Sequence, residues 1–259
     1  MIKIGLFLNK IKIVCIGISM VIHFQAYAQT VRVAVAANAQ AVIKKLQADF
    51  KKRTGINTEI ISGASGKLTT QIMNGAPYDI FLSADTQFPA KLFAAGYGIK
   101  SPKIYALGSL IICGDVKGDI KNWQKLLSTQ AVNKVAIANP KTAPYGTAAE
   151  QSLKFYGLEA KIKHKLVFGE SISQVNTYLQ TGAVNIGFTT ASFLYENGIN
   201  AKLKWARVDQ KSYEKIEQAV ILLNHSKKTG NDGALKFYEY LSSASARKII
   251  VNNGYHLPN

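Results

Sequence analysis

Two stretches of this chain repeat one another, and that repeat restricts the possible folds more than any other feature. Val33-Ala34-Val35-Ala36-Ala37-Asn38 parallels Val135-Ala136-Ile137-Ala138-Asn139. Gly75-Ala76-Pro77-Tyr78-Asp79-Ile80-Phe81-Leu82-Ser83-Ala84 parallels Gly182-Ala183-Val184-Asn185-Ile186-Gly187-Phe188-Thr189-Thr190-Ala191. Each is an apolar run that ends in small polar residues. Self-similarity of this kind points to a unit used twice. The competing explanation is chance likeness between valine-rich strands. Two lobes of one plan are therefore expected.

The segments around the repeats alternate between two periods. The run 31–37 reads as a buried parallel strand. Val42, Ile43, Leu46 and Phe50 then share one helical face, and Gly55 ends that helix. Asn57 to Ile61, Tyr78 to Ser83, Lys134 to Asn139, Lys165 to Phe168 and Ala183 to Phe188 read as further strands. Helices are expected over Lys67 to Met73, over Phe88 to Ala95, from Thr147, from Ser171 to Leu179, and after Thr190. Ile104 to Cys113 is one long strand-like run, and Ala219 to Leu223 is a last apolar strand. Helices over 233–241 and 245–251 close the chain. Strand alternating with helix predicts an α/β fold with mostly parallel sheets and right-handed crossovers. The runs around Leu110 and Val220 are the natural crossings between lobes. This places residues 29–108 and 225–259 in the first lobe and 109–224 in the second.

In such sheets a ligand sits beyond the carboxyl ends of the strands. Ser62-Gly63-Ala64-Ser65-Gly66 lies at one such end, between a β-branched run and a helix. A helix start offers unpaired backbone N–H groups and a partial positive charge. Glycine lets a ligand approach the backbone, and serine adds a hydroxyl. Together they suit an anion. Asn38, Tyr145, the Ser171-Ile172 amides and Thr190 occupy comparable positions, and all are uncharged. Each also has a plainer reading. Asn38, Ser171 and Thr190 fit as helix caps, and Tyr145 as cover for a core edge. A fixed set of donors favours a fully deprotonated anion, because it has little to accept a ligand's own O–H.

Lys3, Lys10 and Lys12 precede an apolar run from Ile13 to Phe24, and Ala26-Tyr27-Ala28 follows. This is the pattern of a cleaved signal peptide over residues 1–28, too short to span a bilayer. Cys15 falls early in the apolar run, without the small residues before it that lipid attachment wants. An exported, soluble chain beginning at Gln29 is expected. Only Cys113 remains after processing, inside an apolar run, so no internal disulfide is available. His164, His225 and His256 show no metal-ligand spacing, and no metal site or cofactor is expected.

The full chain carries a net charge of +17. Without the three leader lysines it has 29 basic and 15 acidic residues, or +14. Such a surface speeds encounter with anions. Nucleic acid is not expected, because the lysines are dispersed and aromatics do not interleave with them. An enzyme is not expected either. No Gly-x-Ser-x-Gly elbow occurs, and nothing pairs Asp79 with Asp85 as acid and base.

The chain resembles the periplasmic molybdate-binding proteins of ABC importers over nearly its whole mature length, Val31 to Pro258. The resemblance rests on Ala36-Ala37-Asn38, Ser62-Gly63-Ala64-Ser65-Gly66, Asn74 to Asp85, Asn139-Pro140, Ala143-Pro144-Tyr145-Gly146 and Gly254-Tyr255. It implies a two-lobed fold of the periplasmic-binding-protein kind, with molybdate or tungstate in the cleft between lobes. Molybdenum would be present only as that oxyanion, held by neutral donors with no direct metal ligand. By position, the resemblance places Ala37, Asn38, Ser65, Tyr145 and the Ile172 amide at the oxyanion. Asn38 stands where the family often has serine. Thr190 stands where many members have tyrosine, and Tyr145 where those members have a small residue. A membrane permease as partner, a monomeric state and a periplasmic location follow from the same resemblance. A receptor for another small oxyanion, sulfate or phosphate, is the alternative.

Overall fold

The structure is a computed structural model describing residues 30–196 and 199–258. The expected leader over residues 1–28, with Cys15, lies outside the described residues. Among the described residues, ten strands form two five-stranded sheets with the same internal plan.

The first sheet has the order β2-β1-β3-β10-β4, from β1 (Val31–Ala36), β2 (Thr58–Gly63), β3 (Ile80–Leu82), β4 (Lys103–Gly108) and β10 (Ile216–Leu222). The second has the order β7-β6-β8-β5-β9, from β5 (Leu110–Gly114), β6 (Val135–Ala138), β7 (Leu166–Gly169), β8 (Ile186–Thr190) and β9 (Lys204–Arg207). The repeated stretches occupy matching places. β1 and β6 are second in their sheets, and β3 and β8 are third. The β2-β1-β3 and β7-β6-β8 pairings are parallel, as strand-helix alternation requires. The remaining two pairings in each sheet are antiparallel.

Alternating side chains explain why the first sheet is covered on both faces. Val31, Val33 and Val35 pack with α1 (Gln40–Thr54) and the closing helices. There Phe50 meets the Phe237 ring edge-on at 4.9 Å between centroids. Ala34, Phe81 and Ile221 point to the opposite face, under α2 (Ser65–Met73) and α3 (Gln87–Ala94). The second lobe has its own core. Trp123, in α4 (Trp123–Leu126), packs edge-on against Phe188 of β8 at 5.4 Å. The remaining helices of that lobe are α5 (Pro144–Phe155), α6 (Glu159–Ile162) and α7 (Ile172–Thr181). The chain closes with α8 (Asn224–Thr229), α9 (Asp232–Tyr240) and α10 (Ala244–Val251). No helix among the described residues is long and apolar enough to cross a membrane.

Two expectations need correction. The run Ile104 to Cys113 is not one strand. It breaks at Ser109, leaving β4 in one sheet and β5 in the other. The second crossing is not at 224/225 either. β10 is already in the first sheet, hydrogen-bonded to β3 and β4, so the chain crosses back between Arg207 and Ile216. An apolar run reports burial but not which sheet it joins, so the sequence could not fix this boundary. The two crossings lie side by side, and the Leu110 N–H donates to the Tyr213 hydroxyl at 3.0 Å. Two adjacent connections form a narrow hinge, about which packed lobes can rotate without breaking either core.

Candidate functional site

The strand-to-helix turns of both lobes converge on one small cavity. Ala36, Ala37 and Asn38 line it from the end of β1. Ala64 and Ser65 enter from the start of α2, and Ala84 from beyond β3. Ala143, Pro144 and Tyr145 come from the start of α5, and Ile172 from the start of α7. No lining residue is charged. The cavity volume is ≈ 10 Å³, far below the roughly 300–1,000 Å³ of pockets that hold drug-sized organic ligands. Asn38, Ser65, Tyr145 and Ile172 are all at most 3% exposed, so a bound ion would be almost wholly removed from water.

The polarity of the walls follows from local geometry. Ser65, Tyr145 and Ile172 lie in the first turns of helices, whose backbone N–H groups have no partner within the helix. Pro144 takes the first position of α5, where its missing N–H removes nothing useful. The Ser65 hydroxyl oxygen accepts the Ala84 N–H at 3.1 Å, which leaves the serine proton to be donated.

Beneath the cavity runs a buried polar network. The Asn38 amide donates to Gln218 Oε1 at 2.8 Å and to the Tyr255 hydroxyl at 3.1 Å. Tyr255 donates to the Asn38 carbonyl at 2.8 Å, and Ser192 does so at 2.9 Å. Tyr105 donates to Gln218 Oε1 at 3.1 Å. Thr190 donates to Tyr145 Oη at 3.1 Å, and Gln218 Nε2 reaches the same oxygen at 3.4 Å. Burial pushes the Tyr105 and Tyr145 phenols well above their usual range, and raises Tyr255 as well. The nearby Tyr255 adds to the rise at Tyr145, against the Thr190 hydrogen bond. All three stay neutral and able to donate.

Contacts across the cleft hold the lobes together. The Gly66 N–H donates to the Thr142 carbonyl at 2.9 Å. Lys67 pairs with Glu170 at 2.6 Å, with side chains 51% and 72% exposed. So exposed a pair contributes at most about 1 kcal/mol. Gly66 matters more, because a Cβ there would lie 3.1 Å from Thr142 Cα and 3.0 Å from Phe88 Cζ.

Residues 31–256 match the family described as bacterial extracellular solute-binding protein. The chain belongs to that family. This solute-binding protein is 37% identical to the molybdate-binding protein ModA of Azotobacter vinelandii, over 90% of its own chain and 92% of the relative. It is 36% identical to ModA of Rhodobacter capsulatus, over 93% of each. The solved structure of the Azotobacter vinelandii periplasmic molybdate-binding protein superposes with a TM-score of 0.82 at 31% identity, covering 88% of this chain and all of that one.

The solute-binding protein brings five of the six expected site residues, Ala37, Asn38, Ser65, Tyr145 and Ile172, to the cavity wall. Thr190 is not on that wall. It sits behind Tyr145 and also accepts the Ser192 N–H, capping the short helical turn after β8. Asn38 does not cap α1. Its side-chain NH2 is turned into the network. Ser171 precedes α7 but bonds Ser173 at 2.8 Å and does not cap the helix. Sequence reasoning missed Gln218, Tyr105 and Ser192 altogether. They stand singly in or beside apolar strands, with no spacing to mark them. Tyr255 was visible only through the resemblance. The C-terminal tail brings it in by bridging β4, where Leu107 and His256 exchange backbone hydrogen bonds.

Asp79 and Asp85 have separate partners, as the sequence suggested. Asp79 accepts the Arg32 N–H at 2.9 Å and the Asn231 amide at 3.0 Å. Asp85 accepts Ser83 Oγ at 2.9 Å and caps the next helix through the Phe88 N–H at 3.2 Å. Burial raises both carboxyls. Cys113 is fully buried in β5, which pushes its thiol up to about 12 and away from nucleophilic use. No cluster of metal-binding side chains occurs among the described residues.

Proposed function

We propose that this protein captures molybdate between its lobes outside the cytoplasm and delivers it to the membrane permease of an ABC importer. The observation that carries this is the buried, uncharged cavity at five strand-to-helix turns, in a chain more than a third identical to two proteins named for molybdate binding. Neutral donors compensate a dianion by hydrogen bonding, and bonds to a charged acceptor are the strong kind. The ligand is bound and released unchanged. We further propose that tungstate binds alike, that the chain acts as a monomer, and that the leader directs export and is removed after Ala28.

Isothermal calorimetry against molybdate, tungstate, sulfate and phosphate tests the reading. Molybdate and tungstate are expected to bind with similar dissociation constants and sulfate far more weakly, because lobes closing on a fixed cavity select by ionic radius. Sulfate binding as tightly as molybdate would overturn it in favour of the alternative oxyanion receptor.

Ser65→Ala removes a buried donor to a charged acceptor. It is expected to weaken molybdate binding by roughly 1–3 kcal/mol. Thermal stability without ligand should fall modestly, because the buried Ala84 N–H loses its acceptor. An unchanged dissociation constant would leave Ser65 only its bond from the Ala84 N–H.

A further inference from the structure

The Tyr145 hydroxyl reaches the hinge, where two side chains from different lobes address it. Thr190 Oγ1 donates to it at 3.1 Å from the end of β8, and Gln218 Nε2 approaches at 3.4 Å from β10. A phenol oxygen has two acceptor sites and one proton. With both acceptor sites met by donors, the proton is left over for the cavity that Tyr145 lines.

Gln218 cannot reverse its role. It is completely buried, and its Oε1 already accepts from Asn38 at 2.8 Å and from Tyr105 at 3.1 Å. Turning the amide over would set its NH2 against the NH2 of Asn38 and its oxygen against Tyr145. We infer that Gln218 is a positioning residue for anion capture: it fixes the direction of the Tyr145 hydroxyl, so that Tyr145 donates to the ligand rather than accepting from it. The inference rests on the anion-receptor reading above, and it extends that reading to a residue that does not line the cavity.

Such a role predicts coupling. Gln218→Met keeps a side chain of similar length and removes all three amide contacts, to Asn38, Tyr105 and Tyr145. With Tyr145 present it should weaken molybdate binding about tenfold, mainly through faster dissociation. On the Tyr145→Phe background there is no hydroxyl to direct, and Gln218→Met should change the dissociation constant less than twofold. A Gln218 that only packs the hinge would cost the same factor on both backgrounds. Thr190→Val removes the other donor to Tyr145 and should show the same dependence on the hydroxyl, which covers the case of Gln218→Met failing to fold.

The measurement is calorimetry of the four-variant cycle with sodium molybdate, with dissociation rates from chase of radiolabelled molybdate. Equal losses on both backgrounds, or no loss when Tyr145 is present, overturns the inference. A wild type that ignores molybdate but binds sulfate or phosphate overturns the molybdate reading, and the same cycle run with that anion still decides Gln218. A wild type that binds none of the three overturns both.

Discussion

Gly66→Val is expected to leave the fold intact and to weaken molybdate binding by about a hundredfold or more. Gly66 lies in the first turn of α2, where the chain passes directly under the opposite lobe. Its N–H is bonded to the Thr142 carbonyl, and any Cβ would come within 3.1 Å of Thr142 Cα. Backbone on that side cannot yield as a side-chain tip can. The Phe88 ring, 3.0 Å away on the same lobe, can swing aside. The clash is therefore specific to the closed state, and valine's branches make it worse. A ligand held only when the lobes are shut loses affinity by whatever closure costs. A hundredfold corresponds to about 2.7 kcal/mol. Stability without ligand should hold or rise slightly, since glycine is a poor helix residue. Thermal unfolding of the free protein beside calorimetry with molybdate separates the two effects. Equal losses in both would mean that Gly66 packs within its own lobe instead.

Gly108→Ala is the second large effect, and its cause is different. Gly108 ends β4 at the hinge, and a Cβ there would sit 2.1 Å from Tyr145 Oη and 3.0 Å from Gln218 Nε2. No real contact is that short, so the phenol must move. Displacing it breaks the bonds from Thr190 and Gln218 and misdirects the donor. Binding is expected to fall further than in Tyr145→Phe, which loses the hydroxyl but leaves the ring in place. Removing the hydroxyl relieves the shortest contact and leaves the Tyr145 ring carbon and Gln218 Nε2 at 3.0 Å, so Gly108→Ala on the Tyr145→Phe background should cost less than on the wild type. Calorimetry across these four proteins checks it. Strictly additive losses would show that Gly108 and Tyr145 do not meet.

The sequence disclosed the fold through periodicity and the site through position. Val31, Val33 and Val35 announce a strand, and Val42, Ile43, Leu46 and Phe50 a helix, because burial imposes spacings of two and of three to four. Ser65 and Asn38 stood out because small polar residues follow apolar runs at strand ends. The site residues least visible were those whose role is to hold others. Gln218 is one polar residue in an apolar strand, and only folding reveals that it faces Asn38, Tyr105 and Tyr145 at once. The return crossing before Ile216 was hidden for a related reason. A strand that changes sheets keeps its apolar character throughout, and nothing local marks the change. Thr190 shows the converse. Its position in the repeat is right for a wall residue, yet Tyr145 occupies the wall in front of it.

The central claim is that molybdate sits in the cavity where the two lobes meet, held by uncharged donors. Diffraction from crystals grown with molybdate, recorded at the molybdenum absorption edge, tests it most directly. The account predicts one anomalous peak enclosed by Ser65, Tyr145 and the start of α7 at Ile172, with oxygens within hydrogen-bond distance of Ser65 Oγ and Tyr145 Oη. A peak outside that cavity, or none in the presence of saturating molybdate, would contradict it.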